Sequence, residues 1–158
     1  MHLDIAVQQA SPEQAERAGR LVYELLVELY PELGYSRDRC VETAIKLLAG
    51  GERVWSFLAT TKDQRDVGVV MLNECAAIYS GGRFGEISEL YVAPDFRSKG
   101  VGAQLIEAAV SLGREREWPD IEVGAPGVPA WQRTVDFYLR HGFDEVGPRL
   151  DLQIKSTA

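Results

Sequence analysis

Apolar residues recur every three or four positions in four stretches of the chain, which is the spacing of amphipathic helices. The first stretch opens with Ser11, Pro12 and Gln14, which suit an N-cap, a first helical position and a capping box. The predicted helices run from Ser11 to Pro31, from Ser36 to Ala49, around Leu105 to Gly113, and from Trp131 to Arg140.

Other stretches alternate apolar and polar residues or are rich in β-formers, and these predict strands. Pro94 ends one of them, because a proline cannot donate to a ladder. The predicted strands cover Leu3 to Val7, Arg53 to Thr61, Val67 to Tyr79, a segment ending at Val92, Ile121 to Ala125, and a closing hairpin over Phe143 to Ile154. The strand from Ile121 follows a strand and a helix, so we expect it to run parallel to the strand that ends at Val92.

The composition is that of an ordinary globular protein, with 158 residues, 46% hydrophobic and 26% charged. This length predicts one domain over residues 1–158. No apolar run approaches the roughly 18 residues of a membrane helix, and the N-terminus lacks the basic and apolar regions of a signal peptide. The lack of such a run argues against a membrane partner. Cys40 and Cys75 match no metal spacing and no disulfide framework, which favours a reducing cytoplasm.

The formal net charge of −7 argues against a nucleic-acid partner, because such binding depends on neutralising phosphates. An acidic surface concentrates cations and is consistent with a substrate such as an amine.

The richest stretch runs from Glu86 to Ala109 and reads as a strand, a polar loop and a helix. Gly100 and Gly102 stand where the helix begins, and the first amides of a helix have no partner within it. Strand, glycine turn and helix N-terminus together predict a cradle for a pyrophosphate. Neither a nucleotide P-loop nor a dinucleotide fingerprint fits this spacing. An ordinary turn feeding a helix remains the alternative.

The run from Arg97 to Gly102 resembles the acetyl-CoA signature of the GNAT-type N-acetyltransferase superfamily, Arg/Gln-x-x-Gly-x-Gly/Ala. The segment from Leu90 to Pro94 matches the strand that usually precedes it. The segment from Val135 to Phe143 resembles the second signature of the same family. Trp131 departs from the pattern, since many relatives place there an asparagine that contacts the cofactor, and an indole cannot replace an amide in that contact.

The resemblance implies the α/β (α+β) GNAT fold: a mixed sheet of six to seven strands, mostly antiparallel with one splayed parallel pair, and about four helices. It also implies acetyl-CoA as acyl donor. No set of His, Cys and Asp residues has the spacing of a metal site, so no metal is expected. The implied cofactor-binding residues are Leu90, Tyr91, Val92, Arg97, Ser98, Lys99, Gly100, Val101, Gly102 and Ala103.

The implied reaction is direct attack of an amine on the thioester in a ternary complex. The resemblance assigns the thioester oxygen to the Leu90 N–H, the pantetheine to Val92, and protonation of the leaving thiolate to Tyr138. Periodicity alone would make Tyr138 a core residue. Glu89 or Glu86 is the implied general base, with a water chain or simple solvated carboxylates as alternatives. Strand alternation puts these two carboxylates on opposite faces, although the bulge usual in such strands could re-aim them.

The implied function is acetylation of a primary amine on a small molecule, with specificity set by the first helix pair. The alternatives are a protein or peptide N-acetyltransferase and a non-catalytic acyl-CoA-binding sensor. Family habit further suggests a homodimer.

Overall fold

A computed structural model describes residues 4–155 of the chain. These residues fall into two units, one up to Val123 and one from Gly124 onward, and each unit is described by itself. The prediction of one domain over residues 1–158 stays a prediction. The elements are β1 (Ile5–Gln9), α1 (Ala15–Leu29), α2 (Arg37–Ala49), β2 (Val54–Thr61), β3 (Asp66–Ala77), β4 (Gly82–Val92), α3 (Val101–Glu115), β5 (Ile121–Val123) and α4 (Gln132–Arg140).

The first unit contains a mixed sheet with the strand order β1-β2-β3-β4-β5. Neighbouring strands are antiparallel except β4 and β5, which pair in parallel over only three positions, Gly85 to Ile87 of β4. The predicted mixed sheet, its parallel pair and the four helices are confirmed. The predicted count of six to seven strands is wrong for residues 4–155, which contain five.

The missing strands are those of the predicted hairpin over Phe143 to Ile154, a segment of the second unit in which the described residues form no strand. Its first arm carries Asp144 and Glu145, which are poor strand formers, and it ends at a glycine and a proline. Its second arm alternates as a strand should, yet its apolar side chains are exposed. Alternation without a covering layer is therefore insufficient for a strand here. Leu3, in the first predicted strand, lies outside the described residues.

The starts of the first two helices follow their capping residues. The Ser11 N–H donates to Gln14 Oε1 at 3.0 Å, as the predicted capping box requires, although a 3₁₀ turn precedes α1. At α2, the Arg39 N–H donates to Ser36 Oγ at 3.3 Å. α1 and α2 then cross closely at Gly19, where an added Cβ would lie 2.7 Å from Val41 Cα.

The two faces of the sheet have different covers. α3 lies on the face of Gly68, Leu72 and Ile87, and Leu105 of α3 contacts Gly68. α1 and α2 lie over the other face, where Cys40 of α2 comes close enough to Glu89 for that charge to add to burial in raising the pKa of Cys40. The candidate site forms on this second face and along the edge of β4.

The start of β5 is held by Trp118. Its indole lies over Gly85, where an added Cβ would be 2.4 Å from Cε3, and its Nε1 donates to Glu74 Oε2 at 2.7 Å. Its ring meets that of Trp55 edge to face at 5.7 Å. Hydrogen bonds from Arg116 and Trp118 hold the pKa of Glu74 below its usual range, although burial opposes this effect. β5 therefore begins at a defined point beside Gly85 and leaves β4 three residues later.

Candidate active site

β4 contains a bulge at Ser88. Met71 of β3 lies opposite Glu89, but the next residue, Leu72, lies opposite Ile87, so Ser88 is the extra residue. Side chains of cross-strand partners share a face of the sheet, and Met71 and Asn73 are two positions apart on β3. Their partners, Glu89 and Glu86, therefore lie on the same face. The prediction from regular alternation, which separated these carboxylates, is wrong, because the strand contains a bulge of the kind that the resemblance suggested.

Glu89 is half-buried in this face. Burial raises its pKa, the hydrogen bond donated by the Ser88 hydroxyl lowers it, and the nearby charge of Glu86 raises it again, so that the pKa lies above the ordinary value. Such a carboxylate takes up a proton more readily than a solvated one. The face thus carries a carboxylate suited to accept a proton from a bound group.

The C-terminal half of β4 has an open edge. The Ala93 N–H donates to Val67 O at 2.8 Å. In an antiparallel pair such bonds alternate, so the amides of Tyr91 and Glu89 also face β3, and those of Leu90 and Val92 face the opposite edge. Within residues 4–123 no strand pairs with that edge beyond Ile87. The open edge presents the two amides that the resemblance assigns to the thioester oxygen and the pantetheine.

Tyr91 differs from its neighbours in the predicted cofactor set. Its side chain is 7% exposed, and its amide is directed to β3 rather than to the open edge. Burial raises the pKa of the phenol, Arg97 opposes this, and the charges of Glu24 and Glu28 on α1 add to it. Its ring therefore lies between β4 and α1.

The loop before α3 has the geometry of an anion-binding nest. Ser98 and Gly100 both have left-handed backbone, with φ values of 60° and 86°. The first hydrogen bond of α3 is from the Gln104 N–H to Gly100 O at 3.1 Å, so the amides of residues 101–103 precede it. The first turn contains no acidic residue. Left-handed turns next to a helix N-terminus direct several N–H groups into one concavity, which fits a pyrophosphate.

The charged side chains of this loop hold the loop itself. Lys99 Nζ donates to Asp95 O at 2.9 Å, and Arg65 Nη1 lies 2.9 Å from Asp95 Oδ2. Arg97 Nε donates to Val92 O at 2.8 Å, and its Nη2 donates to Glu28 Oε1 at 2.7 Å. A cradle at this loop would therefore be formed by backbone amides, while the side chains of the loop hold the shape of that backbone.

Tyr138 belongs to the second unit, on α4. Its ring is buried and lies 5.3 Å from the rings of Phe137 and Phe143. Burial raises the pKa of Tyr138 to about 12, so the hydroxyl stays protonated throughout the physiological range. α4 ends at Arg140, and Gly142 follows two residues later with a φ of 93°, which suits glycine. Trp131 stands half-buried at the start of α4, and its predicted lack of an asparagine-like cofactor contact stays a prediction.

No residue pattern in the sequence locates three of the residues near the site. Ser88 is the bulge, which depends on the partner strand. Cys40 looks like one more small apolar residue of an amphipathic helix. Glu28 lies on α1, 69 residues before the arginine that it contacts. Periodicity places Glu28 on a polar helix face and cannot reveal a partner so distant in sequence.

Comparison with known proteins places this chain in a family. Residues 52–145 match the profile of the acetyltransferase (GNAT) domain. An uncharacterized N-acetyltransferase of Archaeoglobus fulgidus is 33% identical over 96 residues, which are 59% of this chain and 65%, just under two thirds, of that relative.

Two solved structures share the fold. The aminoglycoside N-acetyltransferase AAC(6')-Iy in complex with CoA has a TM-score of 0.77 at 17% identity, covering 99% of this chain and 98% of its own. A ribosomal-protein-alanine N-acetyltransferase from Brucella melitensis has a TM-score of 0.71 at 20% identity, covering 95% and 99%. No described helix is long and apolar enough to cross a membrane. The profile match covers more than half of the sequence, and the chain belongs to the GNAT acetyltransferase family.

Proposed function

We propose that the chain transfers an acetyl group from acetyl-CoA to a primary amine of a small molecule, by direct attack in a ternary complex. One observation carries the proposal: the bulge at Ser88 places Glu86 and Glu89 together on the α1/α2 face, beside an open strand edge. A carboxylate to take a proton and a row of backbone donors are what aminolysis of a thioester requires.

Acetyl-CoA would supply an acetyl group activated as a thioester. The amides from Ser98 to Ala103 would hold its pyrophosphate, and the Val92 N–H would hold the pantetheine arm. The Leu90 N–H would donate to the thioester oxygen, and preorganised donors of this kind contribute about 3 kcal/mol. All three groups are backbone amides of one continuous strand–loop–helix segment, which supports a shared ligand.

Glu89 is the proposed general base. Its raised pKa improves its match to an ammonium group at neutral pH. Glu86 is the second candidate, since it shares the face and raises the pKa of Glu89 through its charge. A chain of water molecules relaying the proton to either carboxylate remains compatible with this assignment.

Tyr138 is the proposed acid that protonates the departing thiolate. With a pKa of about 12 it is a weaker acid than an ordinary tyrosine, so a proton shift to sulfur is correspondingly less favourable. Its hydroxyl can still donate a hydrogen bond to the growing negative charge. We therefore expect a contribution at the lower end of the usual range for general acids, about 10²-fold.

The acceptor is proposed to be a small cationic amine. Glu86 and Glu89 lie on one face of the sheet, and the whole chain has a net charge of −7. Proteins of similar fold include an aminoglycoside acetyltransferase and a ribosomal-protein-alanine acetyltransferase, so a peptide amine is the second candidate. A cytoplasmic homodimer completes the proposal.

Release of CoA thiol can test the reaction and the acceptor class in one assay. The purified chain would be incubated with acetyl-CoA and a panel of amines: an aminoglycoside, a simple polyamine and a peptide with N-terminal alanine. Turnover with the small amines supports the proposal, and turnover with the peptide alone would replace its acceptor. Tight binding of CoA without turnover on any amine would favour an acyl-CoA-binding sensor.

A further inference from the structure

The side chain of Arg97 leaves its own loop and bridges two other elements. Its Nε donates to the carbonyl of Val92, the last residue of β4, at 2.8 Å. Its Nη2 donates to Glu28 Oε1 on α1 at 2.7 Å. The guanidinium carbon lies 5.7 Å from the centre of the Tyr91 ring. One planar group thus joins the end of β4, the loop before α3, and α1.

We infer that Glu28 and Arg97 act as a positioning pair for the cofactor cradle. Glu28 holds the guanidinium of Arg97 in the orientation in which its Nε donates to the Val92 carbonyl. This contact fixes the angle between the loop before α3 and the open edge of β4. The inference rests on the proposed function, because the ligand that gains from this angle is CoA. The contacts of the pair involve only the two side chains and the Val92 carbonyl, all of which belong to this chain.

The contact with Val92 matters because Val92 lies on the open edge. Both its N–H and its C=O point away from β3, so a ligand there meets one donor and one acceptor. Arg97 occupies the acceptor, which leaves the N–H as the group offered to the ligand. A guanidinium can do this while also binding Glu28, since its donors point in separate, fixed directions.

A different role for Arg97 would be direct binding of the CoA phosphates. The two roles predict opposite effects of removing the Glu28 charge. If Arg97 binds phosphate, Glu28 competes for the guanidinium and repels the anion, so its neutralisation tightens CoA binding. If the pair positions the cradle, neutralisation releases Arg97 from its orientation and weakens CoA binding.

Glu24 provides a matched control. It lies one helical turn before Glu28 on α1, and its charge, like that of Glu28, adds to the burial that raises the pKa of Tyr91. Glu24→Gln therefore removes a similar charge near the same ring without breaking the bond to Arg97. Any general effect of lowering the negative charge on this face appears in both variants, and the effect of the pair appears only in Glu28→Gln.

Isothermal titration with CoA is the experiment, on the wild type, Glu24→Gln, Glu28→Gln, Arg97→Gln and the Glu28→Gln/Arg97→Gln double variant. The side chains of Glu28 and Arg97 are 34% and 42% exposed, and ion pairs that are partly exposed contribute little energy. We therefore expect Glu28→Gln to weaken CoA binding about two- to fivefold. Glu24→Gln should bind CoA as tightly as the wild type or more so. In the Arg97→Gln background, Glu28→Gln should produce no further weakening.

Steady-state kinetics adds a readout that a loss of stability would not produce. In Glu28→Gln, KM for acetyl-CoA should rise while KM for the amine and the melting temperature without ligand stay unchanged. Unchanged or tighter CoA binding in Glu28→Gln would overturn the positioning pair and leave the proposed function intact. A wild-type chain that binds no CoA would overturn both.

Discussion

Glu86 and Glu89 lie on the same face of β4 although they are three positions apart in the sequence, because Ser88 is bulged out of the ladder between them. Regular alternation would have sent one to each side of the sheet. Burial raises the pKa of Glu89, so substituting each carboxylate in turn can separate their roles.

Glu89→Gln should lower kcat about 10²- to 10³-fold, because it removes the proposed base while preserving shape. The fall in kcat of the wild type towards acid pH should disappear in this variant, since that fall reflects protonation of Glu89. Glu86→Gln is the comparison and should lower kcat less than tenfold. Equal losses in both variants, or an unchanged acid limb, would contradict the assignment of Glu89. Stopped assays of thiol release between pH 5 and 9 measure these profiles.

Glu89→Gln should also stabilise the protein at neutral pH. Burial raises the pKa of Glu89 above its unfolded value, so the folded state prefers the protonated form. Its favourable contribution is present below the unfolded pKa and is lost as pH rises through the folded pKa. Glu89→Gln should raise the melting temperature at pH 7 by about 2 °C, and the difference should vanish near pH 4. Calorimetry at pH 7 and near pH 4 measures this difference in melting temperature. A larger increase near pH 4 than at pH 7 would contradict the raised pKa of Glu89.

Gly102→Glu should abolish CoA binding. The change adds a Cβ and a negative charge in the first turn of α3, where the amides are proposed to hold a pyrophosphate. Ser111→Glu places the same charge at an exposed position later in α3 and should leave CoA binding intact. Thermal shift with CoA compares the two, and a normal shift in Gly102→Glu would mean that the cradle is misplaced.

Gly100→Ala should destabilise the fold by about 1–2 kcal/mol, because φ at this position is 86° and an alanine resists the left-handed region. No neighbouring atom lies within 4 Å of the added Cβ, so the cost is conformational. Gly50→Ala is the matched control, since Gly50 has a φ of −72° and its nearest contact would be an ordinary 3.8 Å. Urea denaturation should find Gly50→Ala neutral or slightly stabilising.

Tyr138→Phe should lower kcat about 10- to 10³-fold and change acetyl-CoA affinity little, because the ring packing stays and only the hydroxyl is lost. The loss should shrink with acyl donors whose leaving thiols are more acidic. Because the pKa is about 12, the ratio of wild-type to variant kcat should stay constant from pH 7 to 10. A folded variant with unchanged kcat and a lower melting temperature would make Tyr138 a core residue.

The parts of the structure that depend on local chemistry were predicted from the sequence. Ser36 and Gly100 stand at helix starts because capping and left-handed geometry depend on a few adjacent residues. The bulge at Ser88 was not derivable from alternation, because an extra residue exists only relative to β3. The predicted hairpin over residues 143–154 failed for a related reason: alternation cannot tell whether a strand finds a neighbour. Glu28 and Arg97 meet through the packing of α1 on the sheet, which no local pattern records.

The edge-to-face pair formed by Trp55 and Trp118 gives the protein a built-in optical reporter. The centres of the two indole rings lie 5.7 Å apart with their planes at 71°, and Trp118 lies over Gly85, where β5 begins to pair with β4. A fixed aromatic geometry produces a near-ultraviolet circular dichroism signal that is lost when packing loosens. The chain has three tryptophans, so a Trp131→Phe variant would restrict indole absorption to this pair. Its dichroism would then follow, without any label, whether ligands loosen or tighten the packing at the start of β5.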